Sequence, residues 1–207
     1  PADVPLDLEK INQDLRRRQA GFGRGARQQI EEDQVEFISG LRGGLTLGSP
    51  LAFLIRNKDY ANWREQMDPR LPPEKGREIR EARPGHADLS GALKYGFQDL
   101  RNVMERSSAR ETAVRAAGGS ICAQFLAFFE ISARSHVLSI GGVESPKEKY
   151  NFDDLSAARD SPVCCLHPQA ELLMMEEIEK AREAGDSLGG VFEIIVRGVP
   201  AGLGTYV

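Results

Sequence analysis

The stretch from Ser108 to Phe129 constrains this chain more than any other. Ala113, Ala117, Ile121, Phe125 and Phe128 or Phe129 recur at the spacing of one helix face, and the small residues from Ala116 to Ser120 let a neighbour approach closely. Segments of strand character stand before and after it. Gln34–Ser39 alternates, with Val35 and Phe37 on one face, and Leu51–Ile55 is a short apolar run suited to a buried strand. Ser135–Val143 alternates again, and Val191–Val199 reads as a last strand. A long helix interleaved with strands through hairpin-like joins restricts the fold class to α/β or an α+β sandwich, here expected as one domain over 1–207.

Shorter elements fill in this frame. Asp7 is placed to cap a helix with Leu8, Ile11 and Leu15 on its apolar face, ending in Arg16, Arg17 and Arg18, where positive charge suits the dipole. Gly40–Gly48 is turn-rich, and Asp59–Ala82, which holds the single tryptophan Trp63, reads as an irregular connection. Asp88–Gly96 is expected as a short helix with Leu89 and Leu93 inward. Leu172, Met175, Ile178 and Ala181 mark another helix, closed by Gly185.

Composition narrows what such a fold can do. The 207 residues are 41% hydrophobic and 28% charged, an ordinary globular balance. A net charge of −4 argues against a general nucleic-acid binder, which needs a basic footprint. No run of about 18 apolar residues occurs, so no membrane-spanning helix is expected. The start, Pro1-Ala2-Asp3-Val4-Pro5, has neither the basic region nor the apolar core of a secretory leader. Cys122, Cys164 and Cys165 form no disulfide framework and no Cys-x-x-Cys, which points to a reducing cytoplasm. The absence of an initial methionine and the glycine-rich ending at Gly198–Val207 lead us to expect a fragment.

Three constellations can carry chemistry. Arg18, Arg24 and Arg27 offer planar guanidinium forks around a glycine-rich loop, suited to phosphate or carboxylate, or else form a solvated basic loop. Gly21 to Ala26 formally matches Gly-x-Gly-x-x-Ala, but it follows a helix instead of leaving a strand, so no dinucleotide site is expected. Arg83 and His86 share a turn held by Pro84 and Gly85; His86 can exchange a proton near neutral pH, or serve as a hydrogen-bonded loop residue. His136, in a strand, reads as structural, and His167 precedes Pro168 at a helix start. In the third, Ser107 or Ser108 is expected to cap the long helix, and Glu111 lies three residues after Ser108 as in a capping box. Arg110 in the first turn opposes the dipole, and an anion at that helix end would account for it. Asp88, Asp99 and Glu105 lie nearby without forming an evident catalytic pair, and no metal-ligand spacing is present.

At these residues the sequence resembles chorismate synthase. Arg18-Gln19 with Gly21-Phe22-Gly23-Arg24-Gly25 is similar to the family's first basic loop, and Thr46-Leu47-Gly48-Ser49-Pro50 and Asn57-Lys58-Asp59-Tyr60-Ala61-Asn62-Trp63 follow in order. Arg83-Pro84-Gly85-His86-Ala87-Asp88 and Glu105-Arg106-Ser107-Ser108-Ala109-Arg110-Glu111-Thr112 are the most specific segments, and Gly185–Gly190 and Gly198–Gly204 complete the series. The resemblance implies helices packed with mostly antiparallel sheets. It also implies conversion of 5-enolpyruvylshikimate 3-phosphate to chorismate by 1,4-anti elimination of phosphate, dependent on reduced FMN, in a cytoplasmic homotetramer. By the same resemblance Arg18, Arg24, Arg83 and Arg110 bind the substrate's phosphate and carboxylates, His86 is the acid beside the flavin, and Ser108 and Ala109 lie against FMN.

The family's opening strand, ending in Gly-Glu-Ser-His-Gly, and its C-terminal part have no counterpart in this sequence. The resemblance therefore implies an incomplete site, inactive alone. Cys164-Cys165-Leu166-His167-Pro168 departs from a family segment with one cysteine and an acidic residue. Two other readings stand beside the enzyme: a non-catalytic anion-binding or assembly module using the same arginines, and RNA binding through Arg16 to Arg27, for which Phe22 is the sole aromatic platform.

Overall fold

The computed structural model describes residues 1–23, 30–71, 78–107 and 109–204. Arg24 and Ser108 therefore lie outside the described residues, as does Arg27, and the side chain of Ala109 is likewise not described. The described residues fall into two compact units, divided within one helix between Gly119 and Ser120, with residues 20–23 belonging to the second.

The first unit begins with strand β1 (Ala2–Pro5) and helix α1 (Leu8–Gln19). The Oδ1 of Asp7 accepts from the Lys10 backbone N–H at 3.2 Å, the cap that the sequence predicts. Ile11 and Leu15 are fully buried, whereas Leu8, expected on the same face, is exposed. Strand β2 (Val35–Ser39) pairs antiparallel with β5 (Ala52–Ile55), setting Phe37 opposite Phe53. The turn-rich segment between them is itself a hairpin: β3 (Leu41–Arg42) and β4 (Leu45–Leu47) pair antiparallel, and β4 also pairs with β1. A 3-10 turn over Lys58–Asn62 follows, where the buried Asp59 accepts from Asn62 and from the Trp63 indole N–H at 3.1 and 3.0 Å.

Helices α2 (Asp88–Tyr95) and α3 (Arg101–Arg106) then pack together. The expectation that Leu89 and Leu93 face inward is overturned: they are 60% and 75% exposed. The inward position is taken by Asp88, which is fully buried on Arg83, and Gly91 sits directly on Val103. A buried carboxylate held by a partly exposed arginine thus takes the inward side of α2, with its leucines outward.

The long helix is α4 (Ala109–Ala127). Ala113 and Ala117 are fully buried, as their spacing predicts, but Phe128 and Phe129 lie past its end and are exposed. Ser107 does not cap α4. It closes α3, and its Oγ–H donates to the Val103 carbonyl at 2.7 Å.

The second unit contains strands β6 (Ser132–Ile140), β7 (Val143–Glu144) and β8 (Gly190–Arg197), in the antiparallel order β7-β6-β8, with helix α5 (Pro168–Ala184). Its core is Val163, Cys165, Ala170 and Met174, backed by Phe22, Val137, Ile140, Val143, Met175 and Ile178. Met174 takes the buried place on α5, while Leu172, expected there, is exposed. The predicted stop is present: Gly185 adopts a left-handed conformation. Phe22 is spent in this packing, which removes the aromatic platform of the RNA reading. Gly23 next to it has φ +74°, and a Cβ there would meet the Ile178 methyl at 2.6 Å, so this glycine has a packing reason of its own. His136 is structural as expected: it is buried, with Nε2 3.1 Å from the Glu193 carboxylate directly across the β6–β8 ladder.

A Cβ at Gly91 would stand 2.3 Å and 3.0 Å from the two methyls of Val103, a β-branched side chain with little freedom to turn aside. The Gly91→Ala substitution is therefore expected to lose about 1–3 kcal/mol to overpacking, more than the ~1 kcal/mol gained in helix propensity. Chemical denaturation checks this, and Val103→Ala in the same chain should restore much of the loss. A more stable single variant would contradict the packing described.

Candidate functional site

The site is built in the first unit from the ends of elements. The Arg83–Asp88 segment is a turn leading into α2. Asp88 stands in the first turn of α2, and its carboxylate accepts from the Arg83 backbone N–H at 3.0 Å, from Nε at 2.8 Å and from Nη2 at 2.9 Å. This paired grip holds the guanidinium flat against a carboxylate that is 0% exposed. The Asp88 carboxyl is pulled from 3.8 down to about 2, first by the hydrogen bond from the Arg83 side chain. Burial opposes the shift, while the Arg83 backbone N–H and the charges of Arg83 and His86 add to it.

The turn also fixes the chemistry of His86. Its backbone N–H donates to Arg83 O at 3.3 Å, and Nδ1 lies 2.9 Å from Pro84 O. A carbonyl can only accept, so Nδ1 carries hydrogen in both charge states, and Nε2 is the atom that gives or takes a proton. The ring is exposed, so that nitrogen is open to a ligand.

Arg18 and Arg110 meet on another carboxylate. Arg18 stands in the last turn of α1 and donates through Nη2 to Asp33 Oδ2 at 2.5 Å, and through Nη1 to Thr112 Oγ1 at 3.4 Å. Arg110, in the first turn of α4, donates through Nη1 to the other oxygen of Asp33. The Glu31 carboxylate is 3.4 Å from that nitrogen, and the Ile55 and Arg56 carbonyls accept from Nη2 at 3.2 and 2.8 Å. The two terminal nitrogens of Arg110 thus face four protein oxygens. This accounts for a cation at a helix start, where the dipole alone disfavours it.

Of the expected site residues, Arg18 and Arg110 are brought together on Asp33, and Arg83 and His86 share one turn held by Asp88. Sequence reasoning missed Asp33 and Glu31 altogether and left Asp88 without a role. The available signal was the triplet Glu31-Glu32-Asp33, an acidic run set between a basic loop and a strand.

A cleft of about 510 Å³ between α2 and α3 joins the two most specific motifs. Ala87, beside His86, lines one side, and Arg106 and Ser107 line the other. Lys94, Tyr95 and Phe97 also contribute, with the lysine ammonium 5.1 Å from the tyrosine ring centre. Cations, hydroxyls and aromatic rings in one hollow suit an anionic aromatic group. Among the described residues no His, Cys, Asp or Glu cluster is suited to a metal ion, and no helix is long and apolar enough to cross a membrane.

The paired carboxylate gives a pH signature. Because the folded carboxyl lies near 2 and the unfolded one near 3.8, its contribution to stability is full above 3.8 and is lost as the pH falls through 2. Asp88→Asn should accordingly unfold more readily than the unaltered protein at pH 5, with the difference closing as the pH approaches 2. Denaturant titrations at both pH values check this. A gap that persists at the acid end would mean that another group carries the effect.

Comparison with known proteins gives a consistent result. A family model described as Chorismate synthase matches residues 1–207. The chorismate synthase of Alkaliphilus metalliredigens (strain QYMF) is 56% identical over 207 residues, covering 100% of this chain and 54% of the relative. That of Moorella thermoacetica (strain ATCC 39073 / JCM 9320) is 51% identical, with the same coverage of 100% and 54%. A solved structure titled Crystal Structure of Chorismate Synthase superposes with a TM-score of 0.72 at 39% identity, over 97% of this chain and 52% of that one. The chain spans about half the length of the curated relatives it matches.

Proposed function

The chain belongs to the chorismate synthase family, and from that premise we propose that its complete protein is a lyase of aromatic biosynthesis that converts 5-enolpyruvylshikimate 3-phosphate to chorismate and phosphate. The observation that carries this reading is the family match over all 207 residues, with both site motifs inside it. The reaction breaks the C–O bond to phosphate, removes a hydrogen from C6 and places a new double bond in the ring.

The substrate brings a phosphate and two carboxylates. Arg18, Arg24, Arg83 and Arg110 bind these groups, and enclosing them strengthens each charge-assisted contact by removing water. Asp88 holds Arg83 in a fixed plane, so the guanidinium needs little reorganisation when the anion arrives. His86 is the acid, and it delivers or holds its proton at Nε2 because Pro84 occupies Nδ1.

Reduced FMN is the cofactor of this reading, and the cationic, hydroxyl-bearing and aromatic lining of the α2–α3 cleft fits an anionic aromatic group of that kind. Ser108 and Ala109 hold it. When bound, reduced flavin supplies electron density to the breaking C–O bond and helps remove the C6 hydrogen. The same reading takes the assembly to be a cytoplasmic homotetramer.

The test is an assay of the protein made from its complete reading frame, with reduced FMN and 5-enolpyruvylshikimate 3-phosphate, beside the 207 residues alone. The first is expected to form chorismate and the second to form none; no chorismate from the complete protein would defeat the reading. Within that protein His86→Ala should lower kcat by roughly 10²–10⁴-fold with a smaller change in KM, as for loss of a general acid. Unaltered turnover would remove His86 from its role.

A further inference from the structure

Residues 78–87, which carry Arg83 and His86, belong to no helix or strand, so individual bonds set their place. One group of these bonds lies within the turn, where Asp88 takes Arg83. Another lies at its approach. Asp99, in the connection between α2 and α3, accepts through Oδ1 from the Ile79 and Arg101 backbone N–H groups, both at 3.0 Å. The Leu100 backbone N–H donates to Ile79 O at 2.8 Å, so both polar groups of the Ile79 backbone are closed onto residues 99 and 100. The anchor is a packed one: Leu100 and Val103 are buried, and Gly91 of α2 sits directly on Val103. The same helix, α3, carries Arg106 and closes at Ser107, which line the far side of the α2–α3 cleft.

We infer that Asp99 is a positioning residue: its Oδ1 fastens the approach to the Arg83–Asp88 turn onto the start of α3, and so sets His86 relative to the helix that carries Arg106. The grip of Asp88 on Arg83 settles the shape of the turn itself, but it places no constraint on the chain that precedes Arg83. Holding Ile79, four residues earlier, closes the path from residue 79 to residue 99 into a loop fixed at both ends. That restricts the conformations open to His86 before a ligand arrives, which is the preorganisation a reacting group needs. A misplacement of about 1 Å can cost on the order of 10²-fold in rate. The chemistry asked of Asp99 is acceptance alone. Its two donors are neutral backbone N–H groups on one oxygen, and Oδ2 has no hydrogen-bond or ion-pair partner among the described residues. An amide oxygen would therefore serve as well as a carboxylate. Proton transfer or charge balance would need the carboxylate itself, so the two kinds of role are separable. The consequence for turnover rests on the role of His86 proposed above; the clasp does not.

The experiment uses the complete protein with Asp99→Ala, Asp99→Asn and Asp99→Glu, each alone and combined with His86→Ala. Two quantities are read: kcat with reduced FMN and 5-enolpyruvylshikimate 3-phosphate, and, without either, the NMR signals of the His86 ring together with hydrogen exchange around Ile79. Asp99→Ala should lower kcat on the order of tenfold, shift the His86 signals and speed the exchange, while Asp99→Asn should keep kcat within about twofold of the unaltered protein. In the His86→Ala background Asp99→Ala should cost little more, because both changes act on one step, whereas a merely structural loss would add. Unaltered kcat in Asp99→Ala overturns the inference, as does an equal loss with and without His86, or an Asp99→Asn variant as impaired as Asp99→Ala. If Asp99→Ala does not fold, Asp99→Glu, which keeps an acceptor but displaces it by one methylene, is read in the same two backgrounds; unaltered kcat, or the same loss in both, overturns the positioning role. Chorismate formation with unaltered kcat in Asp99→Ala defeats the inference and leaves the proposed activity standing. No chorismate from the complete protein, with His86 signals that shift in Asp99→Ala and return in Asp99→Asn, does the reverse.

Discussion

The arrangement of the first unit depends on one buried carboxylate shared by two arginines. Asp33 joins the last turn of α1, through Arg18, to the first turn of α4, through Arg110. Arg110 in turn holds the carbonyls of Ile55 and Arg56 at the end of β5. Removing one partner from such a group leaves a charge buried without compensation, typically costing about 3–5 kcal/mol, so the three residues stand or fall together. The same contacts that keep these elements in register bring two distant guanidiniums to one place, so fold and site are here a single piece of construction.

Asp88 repeats the device on a smaller scale. It takes Arg83 in a paired grip and is buried by doing so, which rotates α2 and leaves Leu89 and Leu93 outward. Between Arg83 and Asp88 the chain must turn, and His86 falls at that turn with one ring nitrogen already committed to a carbonyl. An oriented imidazole is thereby held in the same turn as a fixed cation without any help from regular secondary structure.

Much of the fold was legible in the sequence because periodicity reports burial. The β2, β5, β6 and β8 segments, and the helices α1, α4 and α5, fall where alternation or helical spacing placed them. The misplaced leucines share one cause. Leu89, Leu93 and Leu172 were set inward because they are apolar, but an ion pair or a better-placed methionine had already taken the interior. The hairpin of β3 and β4 looked like a mere turn because each strand is only two or three residues long. In the site, the arginines and His86 were visible as residue types with a chemistry of their own. Asp33 and Asp88 were not, because a carboxylate acquires its meaning from a partner, and one of the two partners of Asp33 lies 77 residues away in Arg110. Gly23 shows the opposite case: it belongs to the glycine-rich loop among the expected ligand arginines, yet a side chain there would collide with Ile178.

The most direct trial of this account is a crystal structure of the complete protein with reduced FMN and 5-enolpyruvylshikimate 3-phosphate bound. It should show Arg18 and Arg110 still on Asp33 and Arg83 still on Asp88, with His86 Nε2 turned toward the bound molecules and Nδ1 still on Pro84. A ligand seated away from Arg83 and His86, or one that forces Asp33 to release its arginines, would contradict it.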